Sequence, residues 1–117
     1  MSGEPSWFEV GVDDVERGRA FYGSLLGWEL SSVPGGGAVI GTPGVGGGLH
    51  GGDTGATAMV FFAVDDLDVA LARVRELGGE RIPIGDVDGE GAPHGRFAIC
   101  RDDQGSTFGL RQPPATG

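Results

Sequence analysis

Two stretches of the chain carry the same alternation of apolar and polar positions. From Trp7 to Val12, Phe8, Val10 and Val12 fall on one side of an extended segment, with Trp7, Glu9 and Gly11 on the other. Beyond Asp13 the period becomes helical: Val15, Gly18, Tyr22 and Leu25 share a stripe, broadened by Phe21 and Leu26. Asp14 is placed to cap the first turn, and Gly27 to end the helix in a left-handed turn. The order returns from Met59. Val60, Phe62 and Val64 alternate with Met59, Phe61 and Ala63; Asp66 caps a helix whose stripe is Leu67, Ala70, Leu71, Val74 and Leu77; Gly78 and Gly79 stop it.

Short strands are predicted after each helix, at 28–33, 38–42 and 45–50 in the first half and 81–84, 96–101 and 106–112 in the second. Gly46, Gly47 and Gly48 give the fourth strand little preference of its own and suit a close approach by a ligand, a partner strand or a helix. The chain thus reads as one domain of two β-α-β-β-β modules, about 5–50 and about 58–113, joined by a linker at about 51–57. A loop is expected at 85–95 and a frayed tail at 113–117. Each helix covers one face of its own strands. The other face needs cover from the second module, a second chain or a ligand.

Composition narrows the chemistry. The 117 residues include 25 glycines, clustered between segments of clear periodicity, which indicates loops and close backbone contacts in a folded protein. All eight basic residues are Arg, so neither a phosphate-loop lysine nor a Schiff-base lysine exists. The net charge of −9 lacks the basic footprint of nucleic-acid binding and is compatible with a cationic ligand. A single cysteine, an opening MSGEPSW without an apolar signal region, and no apolar run of membrane-spanning length lead to the expectation of a cytoplasmic protein without nucleic-acid or membrane partners.

The run from Val12, Asp13 and Asp14 through Phe21 and Tyr22 to Gly27 and Trp28, with the closing RDDQGSTFGL, resembles the vicinal oxygen chelate superfamily of glyoxalases, extradiol dioxygenases and bleomycin-binding proteins. The resemblance implies an α+β fold in which paired βαβββ modules curl into a half-barrel cup, usually within a homodimer. In metal-dependent members the cup holds a divalent ion on His and Glu ligands. By position those ligands fall here at Trp7, Gly48, Met59 and Gly109, none of which suits a hard or borderline divalent ion. No metal and no other cofactor is therefore expected. Glu9 and His50 share parity with Trp7 and Gly48, but one carboxylate and one imidazole fall short of the three protein ligands of catalytic zinc.

If the cup forms, parity points Trp7, Glu9, His50, Met59, Phe61, Thr107 and Arg111 into it as ligand-binding residues, with Glu9 the leading candidate. Solvent exposure of Glu9, His50 and Arg111, and packing of the apolar three, are the plain structural alternatives. Cys100 reads as a small buried hydrophobe and His94 as a surface or lid residue. Two motifs are discounted. Gly46–Gly51 satisfies GxGxxG but no helix follows, and Asp86–Gly91 resembles a calcium loop without its closing Glu or flanking helices. The expected function is metal-independent binding of a cationic or aromatic small molecule. The alternatives are a glyoxalase-like lyase, isomerase or oxygenase with a lost or relocated metal, and a non-catalytic dimeric regulatory module.

Overall fold

The computed structural model describes residues 3–53, 58–83 and 93–114. Ten elements follow in two parallel series: β1 (Pro5–Gly11), α1 (Val15–Leu26), β2 (Glu29–Ser32), β3 (Ala38–Gly41) and β4 (Gly47–His50), then β5 (Met59–Ala63), α2 (Leu67–Glu76), β6 (Glu80–Ile82), β7 (Arg96–Arg101) and β8 (Thr107–Gln112). The duplication read from the periodicity is the duplication of the fold. Most of the expected loop at 85–95, the expected calcium-like segment, residues 54–57 of the linker and the last three residues lie outside the described residues.

Local chemistry accounts for the helix ends. The Asp14 carboxylate accepts from the Arg17 amide at 3.1 Å, and Asp66 does the same for Val69 at 3.1 Å. A second acceptor assists α2, because the Gln112 side-chain carbonyl takes the Leu67 amide at 2.8 Å. At the far end of α1, Gly27 adopts φ 74° and its amide returns to Gly23. Helix α2 ends in a Schellman pairing, with the Gly78 amide on the Arg75 carbonyl and the Gly79 amide on that of Val74.

Contacts divide the chain into two compact units, one of Trp7–Val60, the other of residues up to Ser6 with those from Phe61 onward. In the first, β2 pairs antiparallel with β3 and β3 with β4, while β4 runs parallel to β1. Val10, Ala38, Ile40 and Leu49 form its core, packed by Phe8, Val12, Val15, Tyr22, Trp28 and Leu30. Tyr22 stacks on Trp28, with ring centroids 5.3 Å apart. Gly18 lets α1 approach closely, since a Cβ there would stand 3.1 Å from a Val12 methyl and 3.3 Å from a Leu49 methyl.

The second unit repeats the pattern: β6 with β7 and β7 with β8 antiparallel, β8 parallel to β5. Its core is Leu67, Ala98, Cys100 and Leu110, packed by Phe62, Val64, Ala70, Leu71, Val74 and Phe108. Cys100 is fully buried there, which raises its thiol pKa and leaves it a hydrophobe. The chain start belongs with this unit, for the Gly3 amide donates to the Ala63 carbonyl and the Ala63 amide to that of Glu4.

The helical stripes are narrower than the periodicity predicts. Leu25 is 63% exposed and Leu77 60%, and Phe21, Leu26 and Val60 are also exposed. On the predicted stripes, Phe21, Leu25 and Leu26 lie in the second half of α1 and Leu77 just past the end of α2, where only the short β2 or β6 follows. The contrast along α2 is measurable. Leu67→Ala, emptying a fully buried site, is expected to cost about 2–5 kcal/mol in urea unfolding, and Leu77→Ala about 0.5 kcal/mol or less. Equal losses would mean that the two ends of the stripe are equally covered.

Candidate functional site

The candidate site is built on the parallel pair β1/β4. Its register sets Phe8 beside Gly47, Glu9 beside Gly48, Val10 beside Leu49 and Gly11 beside His50. Alternation sends Trp7 and Glu9 to the same side of β1, where the Trp7 indole N–H donates to Glu9 Oε2 at 2.7 Å. The other carboxylate oxygen, Oε1, lies 3.2 Å from His50 Nδ1. On the far side of the ring, His50 Nε2 lies 2.9 Å from Asp53 Oδ2. The result is a chain of four side chains, Trp7–Glu9–His50–Asp53.

An imidazole between two carboxylates donates to both only when protonated. Burial pulls the His50 pKa down, but the hydrogen bonds to Asp53 and Glu9, with their charges, outweigh it and raise it above the ordinary histidine value. The ring stays accessible, with 47% of its side-chain surface exposed. Trp7, by contrast, is 7% exposed, so its contribution is to hold Glu9 in place more than to offer a face.

Beside this chain opens a cleft of about 510 Å³, lined by Glu9, His50, Val33, Ala38 and the glycines 35–37. Those three glycines all have positive φ, so the turn after Val33 presents backbone without side chains. The size is within the range of small-molecule sites. A depression of about 570 Å³ beside α1 is larger, but Asp14, the cap of that helix, is among its few polar groups and is already engaged. The candidate site is therefore the cleft beside Glu9 and His50.

The remaining expected residues are placed elsewhere on their strands. Met59 opens β5 and is half-buried. In the second unit Phe61 is buried and meets Phe97 edge-on, with centroids 5.3 Å apart. Arg111 lies over the Phe97 ring at 5.8 Å and donates to the carbonyls of His94 at 2.9 Å and Ser6 at 3.0 Å; burial lowers its pKa. It ties the chain start to the β7 approach. Thr107 is exposed at the start of β8, in register with Arg101. His94, a lid candidate from the sequence, supplies a backbone carbonyl to Arg111.

Sequence reasoning missed Asp53. The signal was its spacing: three residues after His50, just past the end of β4, it can turn back on the ring.

A metal at the positions that the resemblance implies does not fit these residues. Gly48 and Gly109 bring no donor, and the space a Cβ would take at each is filled by Glu9 and by the Phe61 ring. Trp7 offers a donor N–H only, and it is engaged by Glu9. Among the described residues no group of three or more His, Cys, Asp or Glu is arranged to hold an ion.

The His50 arrangement has a pH signature. Because its folded pKa is raised, the stabilisation from its carboxylate partners is full below the ordinary histidine pKa and fades as pH rises through the folded value. NMR titration is expected to find His50 above the ordinary value in the native chain and lower in Asp53→Asn. A titration unmoved by that substitution would break the link to Asp53.

Comparisons with known proteins agree with this fold. A family model described as bleomycin resistance protein-like, N-terminal, matches residues 6–42. The anthracycline biosynthesis proteins DnrV of Streptomyces peucetius and DauV of a Streptomyces species are 34% and 33% identical to this chain, over 92% of its length and 46% of theirs. The chain thus spans about half the length of the curated relatives it matches. Among solved structures, methylmalonyl-CoA epimerase of Mycobacterium tuberculosis superposes with a TM-score of 0.69 at 18% identity, covering 97% of this chain and 89% of that one. A hypothetical protein of Bacillus halodurans does so with a TM-score of 0.72 at 14% identity, covering 100% and 99%. The repeated β-α-β-β-β order with parallel β1/β4 and β5/β8 pairs is the fold of these solved structures, and the first module is similar to the bleomycin resistance protein-like family.

Proposed function

We propose that this chain binds a small organic cation with an apolar or aromatic body in the cleft beside Glu9, without a metal. The observation that carries the reading is the Glu9 carboxylate, fixed by Trp7 and His50 at the edge of a cleft whose other walls are glycines and the apolar residues Val15, Val33, Ala38 and Leu49. With His50 protonated, Glu9 and Asp53 leave the group one negative charge in excess, in a protein of net charge −9. A ligand cation adds to that balance, and an anion opposes it. The bleomycin-resistance-like family model and the anthracycline biosynthesis relatives favour antibiotic-type ligands, which join cationic groups to planar rings. Binding alone suffices for a sequestering role. A cytoplasmic homodimer belongs to the same proposal, supported by the apolar surface that Phe21, Leu25 and Leu26 leave exposed on α1.

Calorimetry with bleomycin and with an anthracycline such as daunorubicin tests this directly. Saturable binding of at least one of them is expected, unchanged by EDTA and weakened about tenfold or more in Glu9→Gln, as for loss of one charge-assisted hydrogen bond. No heat and no thermal stabilisation from either compound would sink the proposal.

A second reading is favoured by His50 itself. With Nε2 on Asp53 and Nδ1 on Glu9, the imidazole is suited to exchange a proton with the Glu9 carboxylate, which lines the cleft and could in turn move a proton on a bound ligand, as a biosynthetic enzyme of this fold would require. In that case His50→Gln abolishes turnover while leaving ligand affinity within about threefold, a kcat effect separate from binding. Equal loss of both would return His50 to a binding role.

A further inference from the structure

Two glycines occupy matching places in the two modules, and neither is needed for its backbone. Gly48 of β4 is in register with Glu9 of β1, and Gly109 of β8 with Phe61 of β5. Neither has positive φ, so an L-residue could adopt either conformation. What excludes a side chain is the neighbour. A Cβ on Gly48 would run into Glu9 Oε2 and come within 3.0 Å of its Cδ and Oε1; a Cβ on Gly109 would run into the Phe61 ring, 2.6 Å from Cγ and Cε2. In each parallel pair the side chain from the leading strand lies flat across the glycine of its partner.

We infer that Gly48 and Gly109 are positioning residues, whose missing side chains hold the Glu9 carboxylate and the Phe61 ring in their orientations. At Gly48 the consequence reaches the site. Lying across the glycine, the carboxylate meets the Trp7 indole on one oxygen and His50 on the other. A methyl group at position 48 lifts it and breaks both contacts at once. The same geometry excludes a donor side chain at either position while Glu9 and Phe61 remain. This holds whichever ligand enters the cleft, and even if the binding proposal fails.

Gly46 supplies the control. It also lacks positive φ, but a Cβ there meets nothing nearer than 3.4 Å, an ordinary contact. Thermal unfolding and the Trp7 indole N–H signal in NMR test the inference together. Gly48→Ala is expected to displace the flexible carboxylate and so move the Trp7 indole signal to its position in Glu9→Ala, while Gly46→Ala leaves that signal in place; Gly109→Ala, which meets the buried Phe61 ring, is expected to lower Tm by about 5 °C or more. Combining Gly48→Ala with Glu9→Ala should cost less than the sum of the single changes. The Phe61→Ala and Gly109→Ala cycle should be non-additive in the same sense. If Gly48→Ala does not fold, the double variant decides: a folded double variant supports the inference and an unfolded one overturns it. An unchanged indole signal in Gly48→Ala would overturn it equally.

Discussion

The first module depends on the parallel register of β1 and β4. Three large side chains in succession, Trp7, Phe8 and Glu9, run alongside three glycines, Gly46, Gly47 and Gly48. Parallel pairing keeps such neighbours level along the strands, so Phe8 and Glu9 each have bare backbone beside them. Phe8 covers Gly47 on the helix side and reaches Trp28 at 5.4 Å, joining the core. Glu9 covers Gly48 on the other side and meets His50. One register therefore fixes both the packing of the helix face and the direction of the site carboxylate.

The parts of the structure set by local chemistry were legible in the sequence. Asp14, Asp66, Gly27 and the Gly78–Gly79 pair act as the sequence indicates, because a cap depends on a few neighbouring residues. The width of the helical stripes was not. Leu25 and Leu77 have the right phase, but phase gives a direction without saying whether anything lies there to cover them. The glycine run of β4 left three readings open, and the partner strand is the one the structure selects. That answer required the register, which no local signal specifies.

The site was legible to the same depth. Parity alone set Trp7 and Glu9 on a common side, and the indole hydrogen bond follows from residues two apart on a strand. Asp53 escaped because it lies beyond the periodic segment, where alternation says nothing. Its effect is considerable: with Glu9 it turns His50 from a rim histidine into the centre of a charged group whose protonation favours the folded form. Arg111 shows the opposite outcome. Its parity suggested a ligand contact, whereas its guanidinium joins backbone carbonyls of two segments distant in sequence.

The paired glycines also bear on how such a chain can change over generations. Placing a side chain at position 48 alone crowds Glu9, and the same holds for position 109 and Phe61. Removing Glu9 or Phe61 first leaves a gap beside bare backbone. Two such pairs, one in each module, couple each glycine to the side chain beside it, so that a change at one position is felt at the other.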